Sequence, residues 1–174
     1  MSSKSFLIVA AFVVNLLVVG GSHAQQPNPL DAVPDKMPFD IAYAAPISLE
    51  RADAVLAAAI AESKKHDWKL NCAVVDSGAN LVSFKRMDGA QLASISIAEH
   101  KARTAVKFRR ETKVFESGMQ LTNFNYLITL DDVIASRGDI PLVEGGKIIG
   151  AIGCSGGTGS QDEVVAKAGA ALIK

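Results

Sequence analysis

The chain has 174 residues, with 18 basic and 18 acidic side chains and a formal net charge of zero. Without an excess of positive charge or a block of like charge, the composition argues against a nucleic-acid-binding protein and against a charged membrane-surface patch. We therefore expect small molecules or other proteins as partners.

Residues 1–24 have the pattern of a signal peptide. Lys4 supplies the positive charge, residues 6–19 are apolar apart from Asn15, and Ser22-His23-Ala24 is a small-residue cleavage site. The apolar run is short for a bilayer span, which needs about 20 residues. We predict export, cleavage after Ala24, a periplasmic or secreted location, and no membrane span after cleavage.

Residues 25–46 contain five of the six prolines of the chain and few apolar residues. This composition predicts a flexible, extended arm. An arm that wraps a neighbouring subunit is the alternative.

The next elements alternate between helix and hairpin. Ser48 is a candidate N-cap for a helix over 48–66, whose apolar residues recur at helical spacing. Strands are predicted over 70–75 and 81–86, joined by a turn at 76–80. A second helix over 91–109 has a mostly alanine face, so it must lie close to the sheet.

The second half of the chain begins with an irregular apolar segment, 111–129. We predict short helical turns and loops here, and such a segment either walls a pocket or covers a sheet edge. We predict another short helix over 130–136, a last hairpin from strands at 142–143 and 147–153, and a C-terminal helix. Because the strands are arranged in hairpins, the fold class is α+β, an antiparallel sheet with helices packed on its faces.

A glycine-rich stretch separates the last strand from the last helix. Ser160 and Glu163 have the spacing of a capping box that starts this helix. Free N–H groups at this point could hold an anionic ligand group, although tight packing of helix on strand explains the glycines equally well. Neither a P-loop nor a dinucleotide-binding motif is present in the sequence.

Cys72 and Cys154 are the only cysteines. They are too few for a zinc site, and an exported protein can form disulfides. A disulfide is conceivable if the first and last strands are neighbours, but the sequence leaves the pairing open.

The second helix has the densest cluster of polar residues. Glu99 and Arg103 are spaced to form a surface ion pair. His100 could ligate a haem iron, with lysines and arginines available for the propionates, whereas a solvated helix face is the simpler interpretation. No hydrolase or zinc-peptidase motif is found.

Several motifs together resemble the GlcG/HbpS-type haem-binding family, whose module also forms the C-terminal domain of PduO-type cobalamin adenosyltransferases. They are V-D-S-G-A-N-L at 75–81, R-M-D-G-A at 86–90, K-A-R-T-A at 101–105, Thr112, P-L-V-E-G-G-K-I-I-G-A-I-G-C-S-G-G at 141–157 and Q-D-E at 161–163. The resemblance covers a domain at 47–174. Two departures are Gly138-Asp139, where the family usually has Gly-Gly, and Cys154, where it usually has valine.

The resemblance implies a profilin-like fold with a five-stranded antiparallel sheet, and self-association into homo-oligomers. It also implies haem as the cofactor, with corrinoid as the less favoured one. We expect an apolar slot for the ligand between the second helix and the last one. The candidate cofactor-binding residues are His100, Lys101, Arg103, Thr104, Thr112, Ser155, Gly156 and Gly157, with His100 as the candidate iron ligand.

Three functions are compatible with the sequence. The first is an exported tetrapyrrole-binding protein that sequesters haem or assists a membrane sensor. The second is an enzyme acting on a small molecule at a polar site formed by Asp76, Arg86 and Asp88, although ordinary turn chemistry also explains these residues. The third is an interaction module that binds a membrane partner.

Overall fold

The computed structural model describes residues 32–174. The predicted signal peptide and the start of the predicted arm lie outside the described residues. The elements are α1 (Leu49–Lys65), β1 (Asn71–Asp76), β2 (Leu81–Arg86), α2 (Ser94–Phe108), α3 (Lys113–Thr122), a 3₁₀ helix (Asn125–Thr129), β3 (Asp139–Glu144), β4 (Lys147–Ser155) and α4 (Gly159–Ala170).

The helix α1 and the β1–β2 hairpin form where the sequence predicts them. The Ser48 hydroxyl accepts a hydrogen bond from the Arg51 N–H, which satisfies one of the free donors at the start of α1. In the hairpin turn, an Asp76 carboxylate oxygen accepts from the N–H groups of Gly78 and Asn80 at 2.8 and 2.9 Å. Local side-chain chemistry therefore fixes both elements.

All four strands pair antiparallel in the order β2-β1-β4-β3, so β2 and β3 are the edges. The predicted antiparallel α+β class is confirmed. The two central strands place Cys72 directly opposite Cys154, and the two are joined by a disulfide. The pairing that the sequence left open is thus decided by the neighbouring positions of β1 and β4.

Helices cover both faces of the sheet. α1 and α4 pack on one face, in a core that includes Val55, Leu56, Val74, Ile152 and Val165. α2 packs on the other face through its alanines, against apolar residues of β1 and β4. A side chain at Gly153 would lie 2.5 Å from the Ala102 nitrogen. The predicted close approach of α2 to the sheet is therefore confirmed, and it depends on the absence of a side chain at Gly153.

The expected fifth strand is not found among residues 32–174, where the sheet has four strands. Tyr43 instead forms an isolated parallel bridge with Ile148 on β4. The Ala44 and Ile47 N–H groups donate to the carbonyls of Ile148 and Ile149 at 2.8 and 2.9 Å. The last residues of the predicted arm are thus hydrogen-bonded to the sheet, where β4 extends beyond the end of β1.

Two local predictions are wrong. Residues 130–136 form a turn and irregular chain rather than a helix. The capping box of α4 is formed by Thr158 and Gln161, two residues earlier than the predicted pair Ser160 and Glu163. Residues 111–129, for which short helical turns and loops are predicted, contain the ten-residue helix α3 followed by the 3₁₀ helix.

Candidate functional site

A groove with a volume of about 650 Å³ lies between the C-terminal half of α1 and the edge strand β2, within the size range of small-molecule sites. We call it the α1–β2 groove. A smaller cavity of about 360 Å³ adjoins it and shares Ile60, Lys64 and Lys85 with it. The lining residues are Ile60, Lys64, Lys69, Phe84, Lys85, Arg86, Met87 and Asp88.

Three pieces of local structure position the lining residues. Ile60 and Lys64 are four residues apart, so they lie on the same face of α1. Lys85 and Arg86 end β2, whose outer edge has no neighbouring strand among residues 32–174. The loop that follows is held by a hydrogen bond from the Met87 N–H to the Leu70 carbonyl at 3.1 Å. The edge position of β2 is what leaves the groove open.

The charges around the groove are unbalanced. Four cationic side chains line it, and Asp88 is the only lining carboxylate. Lys69 forms an ion pair with Asp67, outside the groove lining. Lys64, Lys85 and Arg86 form no ion pair with any residue in the described range 32–174. Their charges are available to an anionic ligand, whose apolar part could pack on Ile60, Phe84 and Met87.

The predicted site residue Lys101 does not line this groove. It is 1% exposed, and its Nζ donates to Asp162 Oδ2 at 2.8 Å, to the Arg137 carbonyl at 2.7 Å and to the Cys154 carbonyl at 3.3 Å. Asp162 is 2% exposed. All three protons of the ammonium group therefore have acceptors inside the protein, and this buried ion pair joins α2 to α4.

The expected slot between α2 and α4 was placed where the structure has the sheet and a buried ion pair. The two helices lie on opposite faces of the sheet, and the Lys101 side chain of α2 reaches Asp162 of α4 at 2.8 Å. A side chain at Gly138 would lie 2.6 Å from the Asp162 Cβ and 2.8 Å from the Lys101 Nζ. The position therefore has no room for even a methyl group.

The predicted site residues Thr104 and Thr112 are buried and bind the segment that precedes β3. The Thr104 hydroxyl lies 2.7 Å from the Asp132 carbonyl and 3.3 Å from the Ile134 nitrogen. The Thr112 hydroxyl donates to the Ser136 carbonyl at 2.7 Å, and the Thr112 N–H donates to Asp139 Oδ1 at 2.9 Å. In the structure, both threonines thus fasten the chain between α3 and β3.

Asp139 is a buried carboxyl that contacts Thr112 through both oxygens. Burial raises the pKa of Asp139 from 3.8 to about 8, although the hydrogen bonds from Thr112 act in the opposite direction. The Thr112 hydroxyl and N–H both face the carboxyl as donors, which favours the charged form. The raised pKa of Asp139 is therefore an effect of burial, which outweighs these hydrogen bonds.

The glycine loop before α4 is also satisfied internally. The Gly157 N–H donates to Asp162 Oδ1 at 3.0 Å, and the Ser155 hydroxyl is 3.1 Å from the Ser94 hydroxyl. A side chain at Gly156, where φ is +150°, would lie 2.5 Å from the Lys69 carbonyl oxygen. In this chain, a carboxylate of the protein occupies the place where an anionic ligand group was considered.

His100 and Arg103 lie on the partly exposed side of α2, across the sheet from α1. The predicted ion pair between Arg103 and Glu99 is present at 3.2 Å. Within residues 32–174, no three histidine, cysteine or acidic side chains cluster in a way that could hold a metal ion. None of the eight residues predicted to bind the cofactor lines the α1–β2 groove.

The alternative polar site is only partly assembled. Arg86 and Asp88 line the α1–β2 groove, but Asp76 lies at the other end of the hairpin, where its carboxylate caps the turn. Sequence analysis missed the other six lining residues. Two basic pairs, Lys64-Lys65 and Lys85-Arg86, were the available signal, but only the tertiary packing of α1 beside β2 brings them together.

Residues 36–174 therefore form an α+β domain with helices on both faces of an antiparallel sheet and a cationic groove at one edge. No helix within 32–174 combines the length and apolar character needed to cross a bilayer. The family model described as "Haem degrading protein HbpS-like" matches residues 47–171. The chain belongs to this HbpS-like family.

Relatives and solved structures agree with this assignment. The protein GlcG of Escherichia coli strain K12 is 40% identical over 109 residues, which are 63% of this chain and 81% of GlcG. A double mutant of Streptomyces reticuli HbpS has a TM-score of 0.70 at 27% identity, covering 82% of this chain and 97% of HbpS. The crystal structure of a PduOC–haem complex has a TM-score of 0.68 at 25% identity, covering 75% of this chain and 96% of PduOC.

Proposed function

We propose that this chain is an exported haem-binding protein that holds the macrocycle in the α1–β2 groove. Family membership supports the ligand class, and one relative of the same fold has been crystallised with haem. The observation on this chain that carries the proposal is the groove itself, lined by three cations that form no ion pair within residues 32–174 and by the apolar residues Ile60, Phe84 and Met87. Haem has the complementary chemistry, two propionates on a flat apolar ring.

The lining residues fit this group. Lys64 on α1 and Lys85 and Arg86 on β2 would pair with the propionates, and Ile60 and Phe84 would contact the ring. Met87 has a thioether, one of the side chains that ligate haem iron in proteins. When bound, haem would supply redox and ligand-binding chemistry. The protein residues would bind it, orient it and exclude water from one of its faces.

A haemin titration of the purified protein tests this function. We expect a saturable Soret band at micromolar haemin, and we expect the double variant Lys85→Gln/Arg86→Gln to need at least about tenfold more haemin, because each charge-assisted hydrogen bond contributes about 1.5–3 kcal/mol. The exposed Lys147, at the β3–β4 turn, provides the matched control Lys147→Gln. An absent or unsaturable spectral change would refute haem binding.

His100 remains our predicted iron ligand from the sequence, and the same titration tests it. His100→Ala should shift the Soret band if His100 ligates iron. Because His100 lies across the sheet from α1, it would do so at a different place from the groove of the same chain. A shift in His100→Ala together with normal binding by Lys85→Gln/Arg86→Gln would assign haem to α2 instead of the groove.

The biological role that we propose is haem sequestration or assistance to a membrane sensor, by a homo-oligomer outside the cytoplasm. The signal-peptide pattern of residues 1–24 supports export. Fractionation of cells that express the tagged chain should place it in the periplasm or medium.

Light scattering of the purified protein should give a mass above that of one chain if the protein is a homo-oligomer. Cross-linking to membranes with and without haem tests the sensor partner.

Haem degradation is the second candidate, because the matching family carries that description. Ring opening consumes a reductant and dioxygen, so the two roles can be separated. Under ascorbate and air, a sequestering protein keeps its Soret band at least as long as free haemin does. A degrading enzyme loses the band faster, with release of iron.

A further inference from the structure

We infer that the α1–β2 groove recognises the two carboxylates and the apolar body of its ligand, so that it takes porphyrin dicarboxylates with or without a central metal. This inference rests on the proposed function, because it names the ligand class of the same groove. It differs from haem binding as such, since haem proteins commonly hold the iron through a protein ligand.

The first step is the distribution of cations. Lys64 lies in the last turns of α1, and Lys85, which is opposite Cys72, faces the same side of the sheet from β2, so positive charge stands on both sides of the groove. Arg86, the next residue, alternates to the other face and lines the groove from the end of the strand. Two carboxylates on one ligand can therefore be paired from opposite sides. The Arg86 guanidinium has the planar fork that binds a carboxylate through two hydrogen bonds.

The second step is the scarcity of metal ligands. The eight lining residues include no histidine, cysteine or tyrosine. A lysine ammonium group has three donors and no acceptor, so Lys64, Lys69 and Lys85 offer no lone pair to a metal. Only the Met87 thioether and the Asp88 carboxylate could coordinate one. The apolar contacts and the carboxylate pairs do not depend on a metal, so they dominate recognition.

The neighbouring strong ligands are already engaged. The His66 imidazole lies close to the groove in sequence, but it is 3.1 Å from a Glu62 carboxylate oxygen and stacks on Trp68 with ring centroids 4.3 Å apart. Cys72, opposite Lys85 in the sheet, is bonded to Cys154. Neither side chain can reach a metal in the groove without breaking these interactions.

The test compares three ligands by calorimetry and by quenching of Trp68, the single tryptophan, which precedes the lining residue Lys69. The ligands are haemin, metal-free protoporphyrin IX and the dimethyl ester of that porphyrin. We expect the dissociation constants of the first two to agree within about threefold. The ester should bind at least about tenfold more weakly, because it lacks both charges that the cations pair with.

Two variants and one control variant sharpen the result. Lys85→Gln/Arg86→Gln should weaken haemin and metal-free porphyrin by the same factor, and Lys147→Gln should weaken neither. Met87→Leu removes the thioether at nearly equal volume, so it should change the two affinities by the same factor.

The outcomes separate this inference from the proposed function. If haemin binds and metal-free porphyrin binds more than about thirtyfold more weakly, the inference is wrong and haem binding stands. The same holds if Met87→Leu weakens haemin alone or if the ester binds as well as the free acid. If neither porphyrin binds, both proposals fail.

Discussion

Two regions of this molecule are rich in charge, and they use it in opposite ways. On the α2 side, Lys101 and Asp162 are buried together and every ammonium proton has an acceptor within the protein. At the α1–β2 groove, Lys64, Lys85 and Arg86 surround an open cavity and form no ion pair with another described residue. The first cluster contributes to the fold, whereas the second is free to contribute to binding.

The difference shows why residue type alone misplaces a site. A lysine that the chain has already neutralised and buried cannot serve a ligand without leaving a carboxylate unpaired, which costs several kcal/mol. Exposed cations contribute little to stability, so those at the α1–β2 groove can be replaced with little loss of folding free energy. The comparison predicts that charge removal has separable effects on stability and on binding.

The largest effect is expected from Lys101→Met, which leaves Asp162 buried without its partner. We expect the free energy of unfolding to fall by about 3–5 kcal/mol, measured by urea denaturation. The double variant Lys101→Met/Asp162→Asn should recover part of this loss, because no buried charge is left unpaired. A loss below about 1 kcal/mol in Lys101→Met would show that the pair is not structural.

The second-largest effect on stability is expected from removing the disulfide. Cys72 and Cys154 are 82 residues apart in sequence, so their bond restricts the unfolded chain over more than half of the domain. Replacing both by alanine should lower the free energy of unfolding by about 2–5 kcal/mol. Wild-type protein unfolded with and without reductant provides the control, and equal midpoints in the two conditions would contradict the bond.

Asp139 should make stability depend on pH. Its pKa is about 8 in the folded protein and near 3.8 when unfolded, so the folded state holds a proton that the unfolded state releases. The stabilisation is complete below about pH 4 and disappears as the pH rises through 8, by at most about 1.4 kcal/mol per pH unit. Relative to Asp139→Asn, wild-type protein should lose stability between pH 5.5 and pH 8.5, and a constant difference would refute the raised pKa.

The smallest effect on stability is expected in the groove. Lys85→Gln/Arg86→Gln should change the free energy of unfolding by less than about 0.5 kcal/mol, because exposed charges without partners contribute little. The same variant is expected to weaken porphyrin binding. A large loss of stability here would erase the distinction between the two regions.

Sequence patterns were sufficient where the signal is local. The cap of α1 at Ser48, the turn at Asp76 and the pair of Glu99 with Arg103 involve residues three or four positions apart. Sequence patterns failed where two neighbouring residue pairs could each form the capping box of α4. Thr158 with Gln161 and Ser160 with Glu163 both have capping-box spacing, and the choice between them depends on long-range contacts.

Long-range contacts of Asp162 and Glu163 explain why the earlier pair forms the capping box. Asp162 meets Lys101 of α2, and Glu163 accepts a hydrogen bond from Lys113 of α3 at 3.1 Å. Because Glu163 is hydrogen-bonded to Lys113 of α3, Gln161 serves as the capping residue. The partners of the candidate site residues could not be predicted for the same reason, since the acceptors of Lys101 and Thr112 lie 24 to 61 residues away in sequence.

Periodicity, caps, turns and contiguous motifs were enough to predict the α+β class, most helix and strand positions and the family. Tertiary packing was needed to show that Cys72 faces Cys154, that Asp162 neutralises Lys101, and that α1 and β2 enclose a cationic groove. Those features arise when residues far apart in the chain are brought within a few ångströms. The spacing of neighbouring residues in the sequence does not predict such contacts.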